Sequence, residues 1–223
     1  MNVNPTKKLL ATSIATIFLV SACTQVADGT SGDDSAGDDK TALKILPEYN
    51  EAGELIRPKN FRESWVYLGA PFTPNSLNNG EAGFPEFHNV YTQPGAFHAY
   101  RKTGEWPEGT MMLKELQLVD DPEGDHPDGS RNEASGRGFF PGAVNGMDIA
   151  VKDSTKFADS RNWGYFNFGH RPPPYEATAA AAPIGECAGC HIANDGVPGG
   201  TVDMVYVDFY KPILTPLPDE AED

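Results

Sequence analysis

Five short apolar runs, β-branched or aromatic and bounded by Gly, Pro or Asn, predict strands along this chain. They are "SWVYLGA" (Ser64 to Ala70), "EFHNVYTQ" (Glu86 to Gln93), "TMMLKELQLV" (Thr110 to Val119), "GMDIAVKD" (Gly146 to Asp153) and "WGYFNFG" (Trp163 to Gly169). One helix is predicted over "PGAFHAYRKTG" (Pro94 to Gly104), where Phe97, Tyr100 and Arg101 share a face and a glycine closes the segment. "STKFADSRN" (Ser154 to Asn162) reads as a second short helix. "TVDMVYVDFY" (Thr201 to Tyr210) fits either type, with strand preferred. Met111, Met112, Met147 and Met204 read as core side chains. The fold class is therefore α+β and β-rich: an antiparallel sheet domain with short helices.

Within that pattern two polar residues stand out. Lys114 has the parity of Met112, Leu116 and Leu118, so in an ideal strand it points to the apolar face. A lysine there is costly without a partner, and a bulge or edge position that returns it to solvent is the plainer reading. Asp148 has the opposite parity to Met147, Ile149 and Val151, and so faces solvent or a polar cavity. Between the third and fourth strands, Asp120 to Gly146 reads as a long loop. Its front half is acidic, and its back half carries Phe139 and Phe140.

The ends differ from this domain. Lys7 and Lys8 precede an apolar run, Leu9 to Val20, too short to span a bilayer but suited to a signal peptide. It ends in Ser21, Ala22 and Cys23, which resemble a bacterial lipobox; an ordinary secretory signal with an incidental cysteine is the alternative. The expected organisation is a signal peptide at 1–22, a lipidated Cys23 with a flexible acidic tether at 23–46, and a folded domain at 47–223. About 170 residues are enough for one core. This implies an exported, periplasmic protein held to the membrane only by lipid, with Thr24 favouring the outer membrane.

Charge narrows the partners. The chain carries 17 Lys+Arg against 32 Asp+Glu, a formal charge of -15. Such a surface repels nucleic acid and could steer a basic partner, although most of the acids read as solvated loops.

The chemistry is concentrated in "ECAGCHIAND" (Glu186 to Asp195). Cys187, Cys190 and His191 spell Cys-x-x-Cys-His, the c-type haem attachment pattern. Two thiols at this spacing each reach one vinyl group, and the histidine falls beneath the iron as proximal ligand. Zinc would need two further ligands, and the chain's third and last cysteine is Cys23. No cysteine is left for a structural disulfide. The sixth position of the iron is not picked out: Met204 is the only methionine after His191.

The chain resembles the cytochrome P-460 family over nearly the whole domain. The resemblance runs from "RPKNFRESWVYLGAPFTPNSLNNG" through "VYTQPGAFHAYRKTGEWPEGTMMLKEL" and "MDIAVKDSTKFADSRNWGYFNF" to "CAGCH" and "VDMVYVDFY". It implies one haem c with an extra covalent bond to its edge from Lys114. It also implies a carboxylate above the open iron at Asp148, one methylene shorter than the glutamate usual there, and a distal wall that includes Phe139 and Phe140. The implied activity is oxidation of hydroxylamine to nitric or nitrous oxide at the open ferric site. Asp148 would serve as base, electrons would pass to an acceptor such as a basic cytochrome c, and a homodimer is expected. Two other functions remain open: nitric oxide binding, as in the related cytochromes c′-beta, and plain electron transfer. Incidental peroxidase activity is a third, weaker option.

Overall fold

The computed structural model describes residues 46–121 and 123–216. The leader, Cys23, the tether as far as residue 45 and the acidic tail from 217 lie outside the described residues. In chain order the elements begin with β1 (Leu55–Ile56), α1 (Phe61–Ser64), β2 (Val66–Gly69), β3 (Phe87–Thr92), α2 (Pro94–Thr103) and β4 (Met111–Val119). They continue with β5 (Arg131–Glu133), β6 (Gly136–Gly138), β7 (Pro141–Lys152), β8 (Trp163–Asn167), β9 (Thr178–Ala179), α3 (Cys187–Ala193) and α4 (Lys211–Leu214). All five predicted strands lie in one antiparallel sheet of order β2-β3-β4-β7-β8, so the class is α+β with an antiparallel core.

Both faces of this sheet are covered, which is why apolar residues occur at both parities of β4. Met112, Val90, Trp163 and Tyr165 pack on one face against Phe97 of α2, Ala188 of α3 and the segment from Met204 to Leu214. Met111, Leu113, Ile149, Val151 and Phe166 pack on the other against Leu55, Phe61, Trp65 and Tyr175. Each fully buried side chain of this size contributes about 1.5–3 kcal/mol. A slip by one residue would put Lys114 in the place of the fully buried Leu113, so the register is strongly specified.

Helix α2 starts on Pro94, where a missing N–H costs nothing, and ends on Gly104 at φ 74, whose N–H donates to the Tyr100 carbonyl. Three other expectations are corrected. Ser154 to Asn162 forms no α-helix, only a 3₁₀ turn at Ala158–Ser160. The Asp153 carboxylate accepts the N–H groups of Thr155 and Lys156, and Arg161 and Asn162 at φ 54 and 71 turn the chain away. Thr201 to Tyr210 is not a strand of the sheet. Val202 and Val205 exchange both backbone hydrogen bonds around Asp203 and Met204 at φ 49 and 62, and a 3₁₀ turn at Val207–Phe209 follows. The segment from Asp120 to Gly146 is not one long loop, because β5 and β6 form a hairpin within it and β7 already starts at Pro141. Among the described residues no helix is long and apolar enough to cross a membrane.

Candidate functional site

Antiparallel pairing places directly opposed residues on one face, and β4 and β7 pair Lys114 with Asp148. β4 lies between β3 and β7, and the register shifts in its pairing with β7 fall beyond Leu116, so neither an edge nor a bulge releases Lys114 to solvent. Instead its ammonium donates to Asp148 Oδ2 at 2.9 Å, and its side chain keeps 26% exposure against 16% for Asp148. The ammonium also sits 4.4 Å from the centre of the Phe84 ring, a cation–π contact.

Asp148 gathers three donors. Besides Lys114, the Asn167 amide reaches Oδ1 at 3.0 Å from the paired position of β8, and His170 Nε2 lies 3.0 Å from both oxygens. Burial works against the charged form, but the His170 hydrogen bond and the Lys114 charge outweigh it and hold this carboxyl below the ordinary aspartate value. The same bond raises His170 above its ordinary value, with burial opposing. His88, on the same face, is pushed down to about 4 by burial and the Lys114 charge, and its Nε2 faces the Phe84 carbonyl instead.

The Cys-x-x-Cys-His segment forms α3, which packs against β8 through Ala188 and the partly buried Cys187. Both thiols are free, Cys187 half-buried and Cys190 exposed. The His191 ring lies between Tyr165 and Tyr206, at 4.9 and 5.2 Å between ring centres. Its Nδ1 donates to the Met204 carbonyl at 2.7 Å, which fixes the tautomer and leaves the Nε2 lone pair free for a metal. Burial pushes the ring down, the carbonyl opposes this, and the Lys114 charge adds to it. Cys187 is raised by burial first and then by the Asp148 charge, with Lys114 opposing. The motif and the Lys114–Asp148 pair are thus within electrostatic reach of each other on one face of the sheet.

These residues fit a c-type haem. Two free thiols and a pre-oriented neutral imidazole are the donor set, and the Tyr165 hydroxyl beside them is buried with no partner among the described residues. A model of the cytochrome P460 family matches residues 58–207. The chain belongs to the cytochrome P460 family. It is accordingly a haem-binding cytochrome of oxidoreductase type. No curated protein matches the chain.

Of the residues singled out in this cytochrome P460 chain, Lys114, Asp148, Cys187, Cys190 and His191 come together. Phe139 and Phe140 do not join them. Phe139 packs on Phe72 at 5.1 Å and lines a separate cavity of about 250 Å³ with Leu118 and Val119, while Phe140 lies under Arg131 at 5.2 Å. Pro141 pairs with Val119, five residues along β4 from Lys114, which is roughly 16 Å at the rise of a strand. Three members of the cluster escaped the sequence reading: Phe84, Asn167 and His170. Asn167 was findable, because alternation from Tyr165 puts it on the same face as Asp148. Phe84 and His170 lie in loops, where no period applies.

Proposed function

We propose that this chain oxidises hydroxylamine, which Asp148 would hold while His191 holds the haem. One observation carries the reading: a carboxylate and an ammonium, 2.9 Å apart, share the sheet face against which the haem-attachment helix packs. A polar wall of this kind suits a small substrate that must lose protons, and is poorly suited to an apolar gas. That disfavours a nitric oxide carrier.

Cys187 and Cys190 would hold the haem by thioether bonds and His191 by its Nε2. When bound, the haem supplies an iron that accepts electrons one at a time and passes them to an external acceptor. Conversion of hydroxylamine to nitric oxide releases three electrons and three protons. Two hydroxylamines giving nitrous oxide and water release four of each. Asp148, charged at neutral pH, would orient the substrate by accepting its O–H or N–H and take these protons. Asn167 and Lys114 fix the carboxylate in place.

Lys114 is the candidate for an extra bond to the haem edge. An N–C bond there replaces one N–H and one C–H, so two protons and two electrons leave to an external two-electron oxidant of the peroxide class. Asp148 is the nearest acceptor for the Lys114 proton. Loss of the ammonium on bonding also removes the cost of covering a free charge.

The test is a turnover assay on the purified holoprotein with hydroxylamine and a one-electron acceptor, measuring nitric and nitrous oxides. Mass spectrometry of the haem peptide runs beside it. Production of either gas with acceptor reduction supports the reading; a protein that binds nitric oxide but leaves hydroxylamine unchanged overturns it.

A further inference from the structure

Resting on the placing of substrate beside Asp148, we propose that His170 is the proton outlet of this site, carrying protons from the Asp148 carboxylate to bulk water. Asp148 is mostly covered, and a base there is useful only if its proton can leave between turnovers. Its partners narrow the exit. The Asn167 amide does not ionise, and Lys114 is itself a donor to the carboxylate. His88 points its Nε2 at the Phe84 carbonyl, 3.2 Å away. His170 alone among these partners is an imidazole touching both carboxylate oxygens, and its side chain is 41% exposed against 16% for Asp148. One end of the pair is covered beside Lys114 and the other faces water.

The fold makes room for this ring. Gly146, two residues before Asp148 on β7, lies against His170, and a Cβ there would come within 3.2 Å of His170 Cδ2 and 3.1 Å of Leu116. The Phe84 ring stands edge-on to His170 at 5.8 Å and limits how the imidazole can swing. The charges that bear on His170 are Asp148 from β7, Lys114 from β4 and Glu86 before β3. The two carboxylates favour the protonated ring and the Lys114 ammonium opposes them, with the net effect upward.

Hydrogen cyanide is the probe, because it arrives protonated and binds ferric haem as the anion, so one proton must leave for each molecule bound. Its association rate with the ferric holoprotein is measured by stopped-flow absorbance across pH 5–9 in weakly buffered solution. The wild-type rate should rise with pH through an inflection above the ordinary histidine value of about 6.5. His170→Gln, which keeps a hydrogen bond but cannot relay a proton, should lose the inflection and bind about tenfold more slowly at neutral pH. In His170→Ala, added imidazole should restore most of the rate, which a merely structural role would not allow.

Equal rates and pH profiles for wild type and His170→Gln overturn the outlet, and so does a His170→Ala defect that imidazole leaves unchanged. Hydroxylamine turnover is assayed on the same samples. Cyanide results as expected without turnover overturn the substrate assignment and leave the outlet standing. A ferric protein that takes up no cyanide at any pH overturns both.

Discussion

A single methylene decides how Asp148 must work. Its carboxylate hangs on a short stem from the centre of β7, so it cannot reach far and is held instead by Lys114, Asn167 and His170 at 2.9–3.0 Å. Asp148→Asn keeps the shape and most of the hydrogen bonds but removes the proposed base. Under the proposed function, turnover of hydroxylamine should fall about a hundredfold with haem content unchanged, read as initial rate against Soret absorbance. The same cluster gives stability a definite pH dependence. The carboxyl of Asp148 is held below its ordinary value, so its contribution is complete above about pH 4 and fades as pH falls through the lower folded value. His170 is raised, so its contribution is complete below about pH 6.5 and is lost as pH rises through the higher folded value. Both contribute between those limits. The stability lost in His170→Gln should therefore be larger at pH 5.5 than at pH 9, by under about 1 kcal/mol because the ring is exposed, in urea unfolding. His88 runs the other way: neutral in the fold down to about 4, it weakens the fold as pH drops below the ordinary histidine range.

At the level of elements, the short turn Val202–Val205 does more than close a loop. Asp203 is held by Lys152 Nζ at 2.7 Å and by Trp163 Nε1 at 3.0 Å, and it fixes two successive left-handed residues that no apolar pattern reveals. That geometry aims the Met204 carbonyl at His191 Nδ1. Asp203→Ala should cost about 2–4 kcal/mol in urea unfolding, since it leaves the half-buried Lys152 without its carboxylate. It should also raise the haem midpoint potential, because an imidazole that donates less strongly through Nδ1 is a poorer ligand to ferric iron. An unchanged potential in redox titration would mean that the carbonyl is held by the core packing of Met204 instead. This turn also shows where the sequence was readable. The five strands were legible because alternation and bounding glycines and prolines act within a few residues, and the parity of Lys114 survived because both faces of β4 are packed. Thr201 to Tyr210 was misread because its apolar residues serve a turn and a 3₁₀ segment, and Phe84 and His170 were missed because loop closure, not period, brings them to Asp148. Phe139 and Phe140 were placed in the distal wall by the family resemblance; β7 starts at Pro141, opposite Val119, so they lie at the far end of the sheet from Lys114.

For the whole molecule, the question is how electrons leave. Cys190 is exposed while Cys187 is partly covered, so the haem-attachment helix turns one side to solvent. The formal charge of the chain is -15, against only 17 basic residues. At low ionic strength such a field would draw in the proposed basic acceptor from beyond contact distance, and about 0.15 M salt shortens its reach to roughly 8 Å. The second-order rate constant for reduction of a basic ferric cytochrome should therefore fall about tenfold or more between roughly 10 mM and 0.5 M salt. An acidic acceptor of similar potential should be slow at low salt and speed up as salt is added. The two slopes have opposite signs because screening weakens attraction in one pair and repulsion in the other. Potential and driving force are common to both, so the comparison isolates the surface. If both acceptors gave the same flat salt dependence, the acidic residues would serve solubility alone, and electron exit would be governed by contact at the exposed surface around Cys190.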